Sequence, residues 1–299
     1  MPFNNSIALA QQFLPVLDNV YKAEAKASIL DTANEFIRFI GANVVQVYKL
    51  GLQGLGDYDR NTGFVTGDMT GTWETLTLMQ DRGRSFGIDT MDNEEVGGLL
   101  LGSSMTEFIR RYVAPEIDAY FFAKAATSAG NSDTAAISSG SDAVDAIDAA
   151  TVAMDDAEVP YEGRILFVSP TIYGYLKAGT TRMVMNRDDN VNYNIAMYND
   201  MRVISVPQAR FYSAIDLYDG TTLGEEAGGF VKDAAGKDLN FLIVHPSAVR
   251  KIAKHVVPRL IPPQYNNFAD QWLMQYRIYH DAFILDNKVD GVYAHISTT

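Results

Sequence analysis

Between Leu50 and Gln80 the chain carries glycine at positions 51, 54, 56, 63, 67 and 71, set among threonine, aspartate and a few large apolar residues. No compact core accommodates such a stretch easily. Long excursions without regular structure are uncommon in compact domains, and where they occur they either have a task or are disordered. Phe64, Val65, Met69 and Trp73 argue against disorder. The flanking runs Val44–Leu50 and Trp73–Met79 are β-type, which predicts two strands joined by a glycine-rich excursion. Apolar side chains on an extended hairpin with no core beneath them find burial on a neighbouring copy. Tyr58, Phe64, Val65, Met69 and Trp73 are therefore the candidate contact residues.

Upstream, residues 7 to 43 hold short helix-compatible stretches, Ala23–Ala27 and Asn34–Ile40, separated from the start by Pro15. They read as an arm too thin to own a core. Downstream of Arg82–Asp89, a long helix is predicted to open at Asp92 or Asn93, with Glu94 and Glu95 in a first turn where the helix dipole favours acids. Leu101, Met105, Phe108, Ile109, Tyr112 and Val113 follow at spacings of three and four, the stripe of an amphipathic spine helix. Pro115 is expected to kink it or to start a new turn before Ile117, Tyr120 and Phe121.

The small, polar segment Thr127–Ser141 marks a domain boundary. Beyond it come a helix (Asp142–Met154), the buried-strand run Arg164–Val168, a short helix opened by Ser169 and Pro170, and strands at Met201–Val206 and Phe241–Val244. Pro246 precedes another short helix. Interleaved strands and helices indicate an α/β unit over about residues 140 to 254. At the end, Tyr276–Ile284 and Val292–Ile296 flank the turn Asp286–Gly291, predicting a β-hairpin that returns to pack on the spine helix. The first domain would then be discontinuous.

Composition excludes several classes of function. The 299 residues, 47% hydrophobic, supply one large domain or two modest ones, and the absence of cysteine removes disulfides, thiolate metal sites and thiol nucleophiles. A net charge of −13 opposes ordinary binding to phosphate backbones, yet it suits a wall that confines DNA without adhering to it. Met1–Ser6 has no secretory character, and no apolar run approaches the ~20 residues of a membrane span.

Motifs that carry chemistry fail at defined positions. Gly54 and Gly56 begin a dinucleotide fingerprint, but Asp59 stands where its third glycine belongs. Around Gly236-Lys237, Val231 and Asp238 replace the leading glycine and the Mg²⁺-binding hydroxyl of a phosphate loop. The stretch Asp57–Asp68 imitates a calcium loop, with Thr62 in place of the bending glycine and Asp68 in place of the bidentate glutamate. The histidines 245, 255, 280 and 295 are dispersed, and Ser103-Ser104 and Ser138-Ser139 read as helix and linker. No catalytic, cofactor-binding or metal-binding residues are assigned. Arg110 and Arg111 could face DNA, bridge to an adjacent subunit, or form a solvated face.

The order of arm, glycine-rich hairpin, kinked spine helix, inserted α/β unit and returning β segment resembles the tailed-bacteriophage major capsid protein fold of the Hong Kong phage type, an α+β class. The most specific stretches are Asp81–Phe86 running into Met91–Glu95, Val113–Tyr120, and Tyr276–Lys288. The resemblance covers nearly the whole chain. It implies an N-terminal arm over residues 1–48, an extended E-loop over 49–82, a peripheral P-domain over 83–139 and 255–299, and an axial A-domain over 140–254. It further implies a non-enzymatic subunit that forms homo-hexamers and homo-pentamers of an icosahedral head around double-stranded DNA, assembled in the host cytoplasm. The implied partners are copies of itself, a separate scaffolding protein, a portal and decoration proteins. Some family members weld subunits through a lysine on the E-loop, and the lack of lysine between Leu50 and Gln80 predicts no such bond. An encapsulin-type nanocompartment shell and, more remotely, an α/β enzyme are the alternative readings.

Overall fold

The computed structural model describes residues 25–31, 38–39, 44–91, 99–180, 195–267 and 269–298. The expected helix start at Asp92 to Glu95 and the side chain of Leu101 lie outside the described residues.

Four sheets and a long interrupted helix organise the described residues. Strand β1 (Arg38–Phe39) pairs antiparallel with β2 (Val44–Leu52), so the helix expected over Asn34–Ile40 is crossed by extended backbone. Strand β2 pairs antiparallel with β3 (Met69–Thr77) along its whole length, from Val44 opposite Thr77 to Leu52 opposite Met69. This is the ribbon the glycine-rich stretch predicted. Its far end is closed by Asp59, whose carboxylate accepts the amides of Asn61 and Thr62 while its backbone pairs with Gly63 at positive φ.

Strand β4 (Gln80–Asp89) continues from the ribbon into the body. The sequence there alternates apolar or long side chains with Gly83, Ser85 and Gly87, and its burial alternates likewise. It forms one edge of a sheet whose centre is β13 (Gln271–Ile284) and whose other edge is β12 (Val249–Ile261). The spine lies across this sheet. It consists of α1 (Leu99–Phe108), a π turn (Ile109–Val113) and α2 (Ala114–Thr127).

The π turn has a structural consequence. Met105, Ile109, Val113 and Ile117 are all buried against Met274, Tyr276 and Ile278 of β13. A strict spacing of four drifts about 40° per step around a regular α-helix, and the extra residue in the π turn brings the stripe back over the sheet. Pro115 sits where the π turn passes into α2, and its missing N–H interrupts the ladder there. The same turn carries Tyr112 outward, 57% exposed, although the sequence stripe had placed it in the core; Phe108 packs only at the core's margin.

A six-stranded sheet in the order β5-β14-β11-β6-β8-β7 forms the rest. Its strands are β5 (Asn131–Thr134), β6 (Ile165–Val168), β7 (Met197–Tyr198), β8 (Met201–Ser205), β11 (Leu239–Val244) and β14 (Val292–Ile296). A separate pair, β9 (Ile215–Leu217) and β10 (Phe230–Lys232), flanks it. Alternate residues of each central strand face opposite layers. Leu166, Val168, Phe241 and Ile243 pack under α3 (Gly140–Asp156) and α4 (Pro170–Thr180). Ile165, Phe167, Leu242 and Val244 pack under Phe121, Phe122 and Ala125 of α2. Cover on both faces explains why Ile165–Val168 is apolar throughout.

Two expectations are corrected. Tyr276–Ile284 and Val292–Ile296 do not form a hairpin, because β13 pairs with β12 and β4 whereas β14 crosses to the other sheet and pairs with β11 and β5. The turn between them, Asp286–Gly291, joins two sheets. The segment after Pro246 is a single short 3-10 turn followed by the long strand β12. The domain boundaries drawn at 48/49, 82/83 and 254/255 fall inside β2, β4 and β12, so these strands run through both regions they were expected to separate. Helix α3 starts at Gly140, where Ser139 accepts the amide of Asp142 and Asp142 accepts from Ser138.

Candidate functional site

The register of β2 with β3 sorts the ribbon's side chains onto two faces, since opposed residues share a face and successive residues alternate. One face carries Val45, Leu76, Lys49, Glu74 and Thr72. At the root of this face Val45 and Leu76, with nearby Leu78, are buried against Ile252 and Leu285 of the body. Lys49 and Glu74 continue it with charge, their ion pair 3.2 Å long.

The opposite face carries Tyr48 and Trp73 in edge-to-face contact at 5.0 Å, then Leu50, Leu52 and Met69. All five are exposed, from 49% at Leu50 to 70% at Met69. Beyond them the tip presents Leu55, Val65 and the edge-to-face pair Tyr58 and Phe64, with Phe64 88% exposed. Exposed apolar side chains of this kind, held on a ribbon that among the described residues is two-stranded beyond Gln46, mark an interaction surface.

The structure thus places Tyr58, Phe64, Val65, Met69 and Trp73 on one projecting element, the last two on its apolar face and the others at its tip. Sequence reasoning missed Tyr48, Leu50 and Leu52. The signal was present in the alternation Tyr48-Lys49-Leu50-Gly51-Leu52, which becomes decisive only once Tyr48 is known to oppose Trp73.

Arg110 and Arg111 both reach Glu107 on the preceding turn, at 2.8 and 3.4 Å. This local arrangement partly neutralises the pair within its own helix. The calcium-like stretch is a tip turn, with Asp59 spent on its own backbone amides. Among the described residues no group of three or more His, Asp or Glu side chains could hold a metal ion. Gly54 and Gly56 lie in the ribbon's excursion, away from any helix start. Gly236 closes a turn by donating to the carbonyl of Asp233.

The remaining polar groups at the body's centre join elements. Buried Asp118 on α2 accepts the amides of Lys26 and Ala27 at 2.7 and 3.2 Å and the guanidinium of Arg210 at 3.4 Å. Burial raises its carboxyl above the usual range despite those contacts. Arg82 on β4 binds Glu116 at 2.7 Å and donates to the carbonyls of Tyr218 and Gly229, tying the loop between β9 and β10 to the spine. His280, enclosed beside Tyr120, is pushed down to about 4 by burial and by the nearby charges of Lys251 and Arg82. His245 caps its own turn through Ser247, and His295 stacks on Phe241.

No protein-family model and no curated protein sequence matches the chain. Solved structures do. The structure titled "Capsid structure of the Cyanophage P-SCSP1u" superposes with a TM-score of 0.61 at 13% identity, covering 87% of this chain and 85% of that one. The asymmetric unit of the bacteriophage PhiM1 mature capsid gives 0.59 at 16% identity over 86% and 83%. A Mycobacterium phage Che8 structure gives 0.58 at 15% identity over 85% and 84%. At such low identity likeness speaks for the fold, and the chain has the α+β fold of these phage capsid structures.

Proposed function

We propose that this chain is the major shell subunit of a tailed-phage head, acting by self-assembly and without catalysis. The observation that carries this reading is the ribbon's exposed apolar face, from Tyr48 and Trp73 to Leu52 and Met69, which has no partner among the described residues. In this reading a second copy covers it. Closed symmetry lets every copy give and receive the same contact, so a ribbon on each subunit builds rings of six or five. Modest pairwise affinities then combine, because each subunit is held by several neighbours at once.

In this reading the ribbon is the E-loop, the spine with its long sheet is the P-domain, and the six-stranded sheet with α3 and α4 is the A-domain. The shell encloses double-stranded DNA, and the net charge of −13 keeps the polymer from adhering to the wall. A scaffolding protein and a portal direct closure. The test is electron microscopy of the purified chain with analysis of particle contents. Hexamers, pentamers or megadalton particles carrying nucleic acid support the reading. Particles filled with an enzyme would instead indicate a nanocompartment, and a small globular oligomer with no shell would defeat the assembly role.

A further inference from the structure

The ribbon meets the body in two separate ways. At its root Val45, Leu76 and Leu78 are buried with Ile252 and Leu285, Tyr279 donates to the carbonyl of Leu78, and Asp281 accepts the amide of Met79. Further out, about 13 Å beyond Val45 at the usual strand rise, Lys49 bridges Glu74 at 3.2 Å and Asp286 at 2.5 Å. Asp286 opens the turn that joins the two body sheets, one residue beyond Leu285 of the root cluster, and its amide also donates to Glu74 at 3.4 Å. Between the ribbon and the body lies an open groove of about 460 Å³. Thr72 and Glu74 line it on the ribbon side, and Lys124, Ser128 and Phe283 on the body side.

A lever pinned by apolar packing at one end, with open space beneath it and a polar tie further out, has two positions available to it. We propose that the bridge of Lys49 to Glu74 and Asp286 is a strut that fixes the angle of the ribbon, and that breaking it lets the ribbon rock on its root into the groove. The strut is electrostatic and its outer partner is open to water, with the Asp286 side chain 69% exposed. Salt screens such a tie, whereas the root, held by apolar contact, resists it.

The charged groups around Lys49 are Glu74 on the ribbon, Asp286 in the turn, and Lys124 across the groove. The Lys49 amine lowers the Asp286 carboxyl below the usual range, and Asp286 in turn raises the amine. The tie is therefore complete from mildly acid to alkaline pH. It is lost as pH falls through the lowered carboxyl value, or as pH rises through the raised amine value. Its consequence for assembly, control of the angle at which copies meet, rests on the shell-building role proposed above; the rocking itself does not.

The cysteine-free chain permits a direct test. Spin labels on Asn61→Cys at the tip and Ser141→Cys at the start of α3 report the ribbon's angle by pulsed electron resonance on dilute, unassembled protein. The ribbon is about 30 Å long, so a rocking of about 10° moves the tip by about 5 Å. Low salt is expected to give a narrow distance distribution. Lys49→Met, or about 1 M salt, is expected to shift or broaden it by that amount, and Lys49→Arg to restore it. Should Lys49→Met fail to fold, Asp286→Asn on the exposed turn replaces it. A Lys49→Met or Asp286→Asn distribution that superposes on the parent's overturns the strut. A working strut in a chain that forms no particles would sink the shell reading alone, and particles with an immobile ribbon would sink the strut alone.

Discussion

Trp73→Ala separates assembly from folding. In the isolated subunit Trp73 is 54% exposed and its ring meets Tyr48 edge-to-face on the ribbon. A tryptophan side chain offers roughly 200 Å², so about 110 Å² remains open for a neighbour to cover. At about 25 cal/mol per Å², covering it contributes about 2.7 kcal/mol to each contact, or roughly a hundredfold in affinity. Within the subunit the substitution removes an aromatic contact of about 0.5–1.5 kcal/mol and some packing along the ribbon. The buried clusters under the spine and in the six-stranded sheet contain no ribbon residue beyond its root, so the body's cooperative unfolding is expected to change little. Mass photometry across a dilution series reads the critical concentration for assembly, and calorimetry reads the thermal midpoint. The expected result is a critical concentration raised by about two orders of magnitude, with a midpoint lowered by no more than about 4 °C. Unchanged particle yield with unchanged heat stability would refute the placement of Trp73 at an interface, as would a fall in thermal midpoint large enough to explain the lost assembly.

Three further predictions concern the body. Asp118→Ala leaves the amides of Lys26 and Ala27 without their acceptor, an expected cost of about 2–4 kcal/mol, and hydrogen exchange should show faster exchange at Lys26–Leu30. Arg82→Ala releases the carbonyls of Tyr218 and Gly229 and strands Glu116; urea titration should show a loss of about 2–3 kcal/mol, with proteolytic sensitivity gained between β9 and β10. His280, held down to about 4, remains neutral in the folded chain while the unfolded chain takes up a proton below about 6.5. Its contribution is thus fully present above that value and falls away as pH drops from about 6.5 to 4, by up to about 3 kcal/mol. His280→Gln should flatten the stability profile in that window, and an identical profile would show that the ring is hydrated.

Much of this architecture can be read from local pattern. The ribbon was visible because glycine density and stranded apolar residues coincide between Leu50 and Gln80, and the spine because Met105, Ile109 and Val113 recur on one face. Pairing across distance was harder to read. Tyr276–Ile284 and Val292–Ile296 are separated by a turn-like segment and look like a hairpin, yet each has a better partner elsewhere: β13 gains β4 and β12, and β14 gains β11 and β5. Local sequence encodes strand character, whereas partner choice depends on which faces are left to cover. Tyr112 shows the same limit within a helix, because a π turn shifts its phase and periodicity alone assumes a constant one.

The location of the apolar residues also separates two kinds of stability in this chain. Phe121, Phe122, Phe167 and Phe211 are enclosed where α2 meets the six-stranded sheet, so the body can hold its shape as a single subunit. Tyr48, Leu50, Leu52, Phe64 and Met69 are of similar apolar character but sit on an element with no depth. A two-stranded ribbon is marginal in water by itself, and here only its root is buried. Its straightness further out depends on the Lys49 tie and then on whatever covers its open face. Folding and association are thus assigned to different residues, which is why substitutions on the open face can alter assembly while leaving the body that presents them intact.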